Sequence, residues 1–240
     1  MFRRVKIIEL YTKLDVMPWM FLNILKLIDN KMKTSIRQCI LKKRLKNCPK
    51  KAYYTYLLID DSKFQSSRSK LNVNSLIPFE PNLQDFLKFK SSIFYVGKGI
   101  FNRKHQHLVL AKQLYCGTLP NKKVQLKLSK IASLWEQNKG ISLIQLDCDA
   151  TTYEALTREN CIIKSLNFNK LTNRIRGTSY GAAKFWPLTQ IVNYGDMLVY
   201  QLFQNYMSKE PNVIYASDVV LKPKLIKLAK LCANCNIVLK

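Results

Sequence analysis

Ten consecutive residues decide the fold of this chain, and they read Phe94-Tyr95-Val96-Gly97-Lys98-Gly99-Ile100-Phe101-Asn102-Arg103. The aromatic and β-branched residues before Gly97 predict a β-strand that ends at the glycines, and Arg103 stands at the predicted start of a helix. Glycines let a ligand approach the backbone closely, and a helix N-terminus beside Lys and Arg favours phosphate groups. We therefore predict that Gly97, Lys98 and Gly99 contact a phosphate-bearing substrate. A tight strand-to-helix turn with an exposed arginine is the alternative explanation.

Hydrophobic patterning on either side of this stretch predicts further strands and a series of helices. The predicted strands are 53–59, 92–96 and 141–146, and the predicted helices are 21–43, 81–90, 103–115, 121–138, 151–166 and 187–207. Thr151 followed by Glu154 three residues later forms a capping-box pattern at the start of one helix. The order of these elements predicts an α+β fold, with a small antiparallel three-stranded sheet flanked by helices.

Charge is the unusual feature of the composition. The chain contains 40 Lys and Arg residues and 15 Asp and Glu residues, so its formal net charge is +25 over 240 residues. This excess predicts a polyanionic partner, either nucleic acid or an anionic membrane surface. A lysine-rich surface without such a partner is the alternative. Composition and patterning divide the chain into a basic, partly helical N-terminal extension at 1–50, a central domain at 51–185, and a helical, basic C-terminal extension at 186–240.

The cysteines and the longest apolar stretch near the N-terminus indicate the compartment. The seven cysteines are scattered, odd in number and not accompanied by a secretory signal. They predict reduced thiols in a nuclear or cytoplasmic protein that is not secreted. The apolar stretch at 16–28 is too short to span a bilayer, so no membrane span is predicted. Cys232 and Cys235 form half of a zinc-site pattern, for which plain thiols are the simpler interpretation.

One acidic residue lies among the apolar positions of the predicted helix 151–166. Glu159 is separated by three, four or seven residues from Ala155, Leu156, Ile162, Ile163 and Leu166. Its carboxylate therefore projects from the apolar side of the helix. A charge in such a place is costly unless it is paired with a cation or binds a metal ion, and the residues alone leave both explanations open. The first strand also places Tyr56 where its side chain can lie beside that of Tyr95.

The order of these residues resembles that of the GIY-YIG endonucleases, in which two strands carry the short sequences that give the family its name. Tyr54-Thr55-Tyr56 stands at the GIY position, with Gly and Ile replaced, and Tyr95-Val96-Gly97 matches YIG with one conservative change. Arg103 matches the catalytic arginine, Glu159 matches the metal-binding glutamate, and Asn173 matches the asparagine that commonly closes the domain.

The resemblance is closer still to the animal ankyrin-repeat and LEM-domain nucleases. It covers residues 53–180 and includes His107-Leu108 and Arg176-Gly177. It implies that 51–185 is a GIY-YIG-like nuclease domain. The chain departs from the pattern in two respects. Residues 1–50 contain no recognisable ankyrin repeat or LEM domain, and a long insertion separates the two strands where many family members have a tight hairpin.

What the resemblance implies is a metal-dependent DNA endonuclease that hydrolyses phosphodiester bonds, with branched or structured DNA as the expected substrate. Glu159 would bind Mg²⁺ (or Mn²⁺), and Arg103 would hold the phosphate and stabilise its developing charge. Tyr56 would orient or deprotonate the attacking water, a task that Tyr95 could share. A base role for tyrosine needs nearby positive charge, because a free tyrosine has a pKa of about 10.

Two more residues complete the predicted site. His107 lies four residues after Arg103, hence on the same helix face, where it would relay a proton or contact phosphate; a partly buried helix histidine is the alternative. Asn173 is expected to contact the substrate region and to fix its geometry rather than react. The competing function is a non-catalytic nucleic-acid-binding protein on the same fold. That function predicts the loss of the key Tyr, Arg or Glu, and all three are present.

Overall fold

A computed structural model describes residues 18–46, 52–64, 83–101, 103–119, 124–146, 149–208 and 212–221. The helices in this part of the chain are α1 (Pro18–Leu41), α2 (Leu83–Ser92), α3 (Arg103–Tyr115), α4 (Leu126–Glu136), α5 (Thr152–Leu166) and α6 (Leu188–Met207). The strands are β1 (Tyr53–Asp60), β2 (Ile93–Ile100), β3 (Ile141–Gln145) and β4 (Val213–Ile214). The predicted α+β class is confirmed.

The sheet has four strands in the order β2-β1-β3-β4, and all neighbours are antiparallel. The prediction of three strands is therefore wrong. The strand that it missed, β4, is two residues long, which is too short for any alternation of polar and apolar residues to show. Tertiary contacts hold it: the Trp135 indole donates a hydrogen bond of 3.1 Å to the carbonyl of Ile214. Gly140 leaves the space that the Val213 side chain fills.

Strand β2 does not end at the glycines, as predicted, but continues through them to Ile100. Gly97 pairs with Tyr56 of β1, and Gly99 pairs with Tyr54. A Cβ atom on Gly97 would lie 2.7 Å from Cζ of Tyr56, and one on Gly99 would lie 2.6 Å from Cζ of Tyr54. The glycines are thus needed because two tyrosine rings of the neighbouring strand lie over them. Their contact with a substrate stays a prediction.

Two hydrophobic clusters cover the two faces of the sheet. On one face, α3 and α4 pack against β1 and β2 through buried residues that include Leu108, Ile131 and Trp135. On the other face, α1, α2, α5 and α6 pack against the sheet through buried residues that include Met32, Phe89, Ile162, Val199 and Phe203. The predicted capping box of α5 is confirmed, because the Thr151 hydroxyl accepts from the Glu154 amide and the Glu154 carboxylate accepts from the Thr151 amide.

A buried ion pair joins three helices on the second face. The Arg158 guanidinium, on α5, donates to both carboxylate oxygens of Asp29 on α1 at 2.9 Å, and the Tyr194 hydroxyl of α6 donates to the same carboxylate at 2.6 Å. The charge of Arg158 helps to hold the pKa of Asp29 below its ordinary value against the opposing effect of burial. Residues in both predicted extensions therefore contact the predicted nuclease domain. The domain boundaries themselves stay predictions.

Two remaining expectations concern cysteines and membranes. The expectation of reduced thiols is wrong for Cys116, which is disulfide-bonded, whereas Cys39 and Cys161 are free. Cys232 and Cys235 lie outside the described residues. No helix within the described segments is long and apolar enough to cross a bilayer.

Replacing Arg158 with Ala should lower the free energy of unfolding by about 3 kcal/mol, because it leaves a mostly buried carboxylate without its main cation. Lys33→Ala is the matched control, since Lys33 also pairs with Asp29, at 2.8 Å, but its side chain is 41% exposed. The control should lose under about 1 kcal/mol. Urea unfolding of both variants provides the measurement. Equal losses would contradict the assignment of Arg158 as the structural partner.

Candidate active site

The outer edge of strand β2 is the backbone around which the predicted site residues assemble. This strand is the terminal one of the sheet, so alternate N–H and C=O groups point away from β1. The Asn173 side chain bonds both groups of Val96: its Oδ1 accepts from the Val96 amide at 3.1 Å, and its Nδ2 donates to the Val96 carbonyl at 2.7 Å. The Thr172 amide donates to the Phe94 carbonyl at 2.8 Å. The Asn173 side chain therefore makes the two backbone hydrogen bonds that a neighbouring strand would make with Val96.

Glu159 reaches the same edge from helix α5. The Lys98 amide, the next one along β2 that points outward, donates a hydrogen bond to the Glu159 carboxylate. Burial raises the pKa of Glu159 to about 7, although the positive charges of Lys98, Arg103 and Lys127 act in the opposite direction. The carboxylate thus lies in a partly desolvated place among three cations. Glu159 is half-buried, and its position on the apolar side of the helix stays a prediction.

A row of aromatic rings covers the sheet face next to this edge. The centroids of Tyr54 and Tyr56 are 5.8 Å apart, and those of Tyr56 and Tyr95 are 6.0 Å apart. The imidazole of His107, on α3, is stacked on Tyr56 with a centroid distance of 6.2 Å and an interplanar angle of 27°. Tyr56 and Tyr95 are diagonal neighbours, because Tyr56 pairs with Gly97 and Tyr95 pairs with Leu58. The predicted proximity of Tyr56 and Tyr95 is confirmed.

Two polar atoms in this row are buried without a well-formed hydrogen bond among the described residues: Nδ1 of His107, and the Tyr56 hydroxyl, which has only the Tyr95 hydroxyl beside it. Buried polar groups in proteins are almost always satisfied, so such exceptions indicate a functional role or a missing ligand. Burial, followed by the neighbouring Tyr95 hydroxyl, raises the pKa of Tyr56 well above its ordinary value. Burial, together with the Lys127 and Arg103 charges, lowers the pKa of His107 to about 4. At neutral pH both side chains are therefore uncharged.

Lys127, on α4, is a site residue that the sequence reasoning missed. Its ammonium lies 3.1 Å from the Tyr95 hydroxyl, 3.2 Å from Nε2 of His107, and 4.3 Å from the Tyr95 ring centroid. None of the ion pairs found among the described residues involves it. Burial lowers its pKa to about 8. The signal for it was available: Lys127 is four residues before Ile131 and seven before Leu134, both buried apolar positions of the helix.

The two other cations near Glu159 are Arg103, which is exposed, and Lys98, which is bonded to Thr152. Arg103 is the first residue of α3 and is exposed, and its charge affects the pKa of Tyr56, Tyr95, His107, Lys127 and Glu159. It therefore lies near every other candidate catalytic group. The Lys98 ammonium donates to the Thr152 hydroxyl at 2.8 Å and lies 4.9 Å from the Tyr53 ring centroid. Its contact with a substrate stays a prediction, because the side chain already has these partners.

Glu159 is the candidate metal ligand that the structure brings to the site. No group of three or more His, Cys, Asp or Glu side chains that could hold a metal ion is found in the described part of the chain. Magnesium ions are nevertheless often bound by one or two carboxylates, with water and substrate phosphate completing the coordination. The donor set therefore fits a divalent cation that binds together with a phosphate. Both polar atoms of the Asn173 amide are already bonded to β2.

The neutral state of His107 leads to a prediction about stability and pH. Its pKa is about 4 in the folded protein and 6.5 without the surrounding structure. The unfolded chain therefore binds more protons between these values, and stability falls as the pH is lowered through that range. Relative to His107→Gln, the wild type should lose about 2 kcal/mol of unfolding free energy between pH 7.5 and pH 4.5.

Urea unfolding in EDTA at the two pH values measures this loss, and the comparison with the variant removes the contribution of other titrating groups. His105→Gln is the matched control, because His105 is exposed and two residues away on the same helix. It should keep most of the wild-type loss, because burial and the Lys104 charge lower the pKa of His105 in the folded protein as well, but this side chain is exposed. If His107→Gln also keeps most of that loss, the histidine is not buried in its neutral form.

Known animal proteins are similar to part of this chain. The ankyrin repeat and LEM domain-containing protein 1 of Homo sapiens is 29% identical over 171 residues, which is 70% of this chain and 27% of that protein. The Mus musculus protein of the same name is 28% identical over 169 residues, which is 70% of this chain and 30% of that protein. The Caenorhabditis elegans homologue is 33% identical over 111 residues, which is 46% of this chain and 16% of that protein.

This chain thus matches less than a third of the length of each of these relatives. No solved structure matches it. The family model described as the LEM-3-like GIY-YIG domain matches residues 53–221, which include all four strands and every predicted site residue. With that match over more than half of its length, the chain belongs to the LEM-3-like GIY-YIG domain family, and the resemblance predicted from its sequence is confirmed.

Proposed function

We propose that this chain is a divalent-metal-dependent DNA endonuclease that hydrolyses phosphodiester bonds, with a preference for branched or structured DNA. One observation carries the proposal: two buried polar atoms without a well-formed hydrogen bond, on Tyr56 and His107, belong to the same cluster as the Glu159 carboxylate and its surrounding cations. Phosphodiester hydrolysis needs polar groups for a water molecule, cations for the phosphate, and a carboxylate for a metal ion. The cluster contains all three kinds of group.

The positive charges match the phosphate group of a substrate. Arg103 is exposed at a helix N-terminus, where its guanidinium and the helix amides favour an anion. Lys127 lies behind the tyrosine row, and burial makes its isolated charge costly in the free protein. A phosphate oxygen near Lys127 would relieve that cost. We therefore assign both residues to stabilise the negative charge that develops on the phosphate oxygens.

Glu159 is the residue assigned to hold Mg²⁺ or Mn²⁺. A divalent cation bound there would supply Lewis-acid stabilisation of the phosphate and the leaving oxygen. The chain contributes the position of the carboxylate, which the Lys98 amide and helix α5 fix at the β2 edge. Asn173 fixes that edge through its two bonds to Val96, so its assigned role is to maintain geometry.

Tyr56 and His107 share the handling of the attacking water in this proposal. The raised pKa of Tyr56 keeps its hydroxyl protonated, so Tyr56 is assigned to hold and orient the water. His107 is uncharged at neutral pH, and its Nε2 accepts from the Lys127 ammonium, which can only donate. The unpartnered Nδ1 therefore carries the ring proton and is assigned to donate a hydrogen bond to the water. The stacking of His107 on Tyr56 places the ring beside the proposed water position. Tyr95 is held by Lys127 and supports the same wall of the site.

The net charge and the family likeness bear on the preferred DNA, and the composition bears on the compartment. The net charge of +25 supports binding to DNA of most kinds at low salt. The preference for branched or structured DNA follows from the likeness to the ankyrin-repeat and LEM-domain proteins, and the nuclear or cytoplasmic location remains a prediction from composition.

Replacing Glu159 with Gln or Arg103 with Ala should lower the single-turnover cleavage rate on the order of 100-fold or more, because each removes a charge that acts in the transition state. The assay uses a labelled four-way junction and a linear duplex of the same sequence, with Mg²⁺ or with EDTA. Glu136→Gln is the matched control, since Glu136 is an exposed carboxylate at the end of α4. The control should cut at the wild-type rate.

Binding of the same DNAs in EDTA separates loss of chemistry from loss of affinity. If the wild type binds both DNAs but cuts neither with any divalent metal, the nuclease proposal fails, and a non-catalytic DNA-binding protein becomes the better account. Cutting of the duplex as fast as the junction would refute only the preference for branched DNA.

Lys127→Met should lower the cleavage rate on the order of 100-fold while leaving the unfolding temperature equal to or above that of the wild type, because methionine removes a buried charge without removing bulk. Lys130→Met is the matched control on the same helix, where Lys130 is 36% exposed and 3.7 Å from Asp60. It should cut normally. A Lys127 variant that unfolds at lower temperature and keeps its rate would show a structural role instead.

A further inference from the structure

Phe101, which directly follows strand β2, combines an exposed ring with an unusual backbone. Its side chain is 70% exposed to solvent. Its φ angle is +49°, in the left-handed region that bulky residues rarely adopt. A large apolar side chain held in this way is not explained by packing, because the ring contributes little to the core. The left-handed backbone costs the fold free energy and the exposed ring returns little of it, which suggests a role outside folding.

The conformation of Phe101 is fixed by Tyr54. The Tyr54 hydroxyl donates a hydrogen bond of 2.6 Å to the Phe101 carbonyl and accepts one of 3.3 Å from the Lys104 amide. The Tyr54 ring itself is buried over Gly99, where a Cβ atom would lie 2.6 Å from Cζ. The Phe101 carbonyl and the first turn of α3 are therefore both bonded to one buried tyrosine of the sheet. The exposed ring of Phe101 belongs to a residue whose carbonyl is held in this way.

The surroundings of Phe101 indicate what the ring contacts. Tyr54 bonds the Phe101 carbonyl and is the neighbour of Tyr56 in the aromatic row, so one tyrosine links the backbone of Phe101 to the proposed water-binding residue. The Lys104 ammonium lies 5.5 Å from the centroid of Tyr54, and Arg103 begins helix α3 two residues after Phe101. An aromatic ring next to cations that hold a DNA backbone is the combination with which proteins bind unpaired bases.

We infer that Phe101 is a specificity-determining residue, and that its ring stacks on an unpaired base of the DNA beside the phosphate to be cut. In a continuous duplex every base is stacked between its neighbours and offers no open face to a protein ring. A branch point or a bulge supplies such a face. The inference rests on the proposed function in that DNA is the ligand. It assigns the preference for branched DNA to a particular side chain.

The experiment measures DNA binding by fluorescence anisotropy in EDTA, at one fixed salt concentration, for a three-way junction with an unpaired nucleotide at the branch and for a linear duplex of equal length. Phe101→Asn should weaken binding to the junction by roughly 5-fold to 150-fold and change binding to the duplex by less than about twofold, since one base loses its stacking partner. Phe101→Trp should retain the wild-type affinity for both DNAs.

Two controls separate stacking from damage to the fold. Asparagine accepts the left-handed backbone more readily than phenylalanine, so the unfolding temperature of Phe101→Asn should equal or exceed that of the wild type. Phe185→Asn changes another exposed phenylalanine, 83% exposed in the turn Gly181–Phe185 that contacts α1, and should bind both DNAs normally. Equal losses on junction and duplex, or no loss on either, would overturn the inference.

Failure of this inference and failure of the nuclease proposal give different results. If the wild type shows Phe101-dependent selectivity in EDTA but cuts no DNA with Mg²⁺, the stacking inference stands and the endonuclease does not. If the protein cuts the junction and Phe101→Asn binds and cuts it as selectively as the wild type, the endonuclease stands and the stacking inference is overturned.

Discussion

The open edge of strand β2 is the constraint on which the rest of the site depends. An edge strand has unpaired backbone groups that must be satisfied by something other than a further strand. Here Asn173 and Glu159 supply the partners, one from a loop and the other from helix α5. The carboxylate is therefore positioned by the backbone of the same strand that carries Tyr95. No flexible loop separates the candidate metal ligand from the aromatic row.

Burial favours the uncharged form of the candidate catalytic groups. It raises the pKa of Glu159 and Tyr56 and lowers the pKa of His107 and Lys127. Each shift favours the neutral form, which is the expected result when ionisable groups lie in a partly desolvated place without full pairing. Such clusters are common at catalytic centres, because the energy needed to keep them together is recovered when a charged ligand binds.

Local patterns carried most of what the sequence predicts correctly. Aromatic and β-branched runs located β1, and the capping box located the start of α5. The misses depend on contacts between distant residues. Strand β4 forms because it pairs with β3 and accepts a hydrogen bond from Trp135. Lys127 becomes a candidate site residue only because Tyr95 and His107, which belong to other elements, contact its ammonium. The glycines of β2 also leave space for tyrosine rings of the neighbouring strand, a packing requirement that the sequence of a single strand does not reveal.

Helix α1 precedes the region of the family match but contacts it through a buried ion pair. The match begins at residue 53, yet Asp29 of α1 supplies the carboxylate for Arg158, the residue before Glu159 on α5. A nuclease domain moved to another protein by recombination at residue 53 would carry a buried guanidinium with no counter-ion. Arg158 and α1 must therefore be inherited together. Any relative that replaces this arginine with an apolar residue is freed from that requirement and can exchange its N-terminal segment.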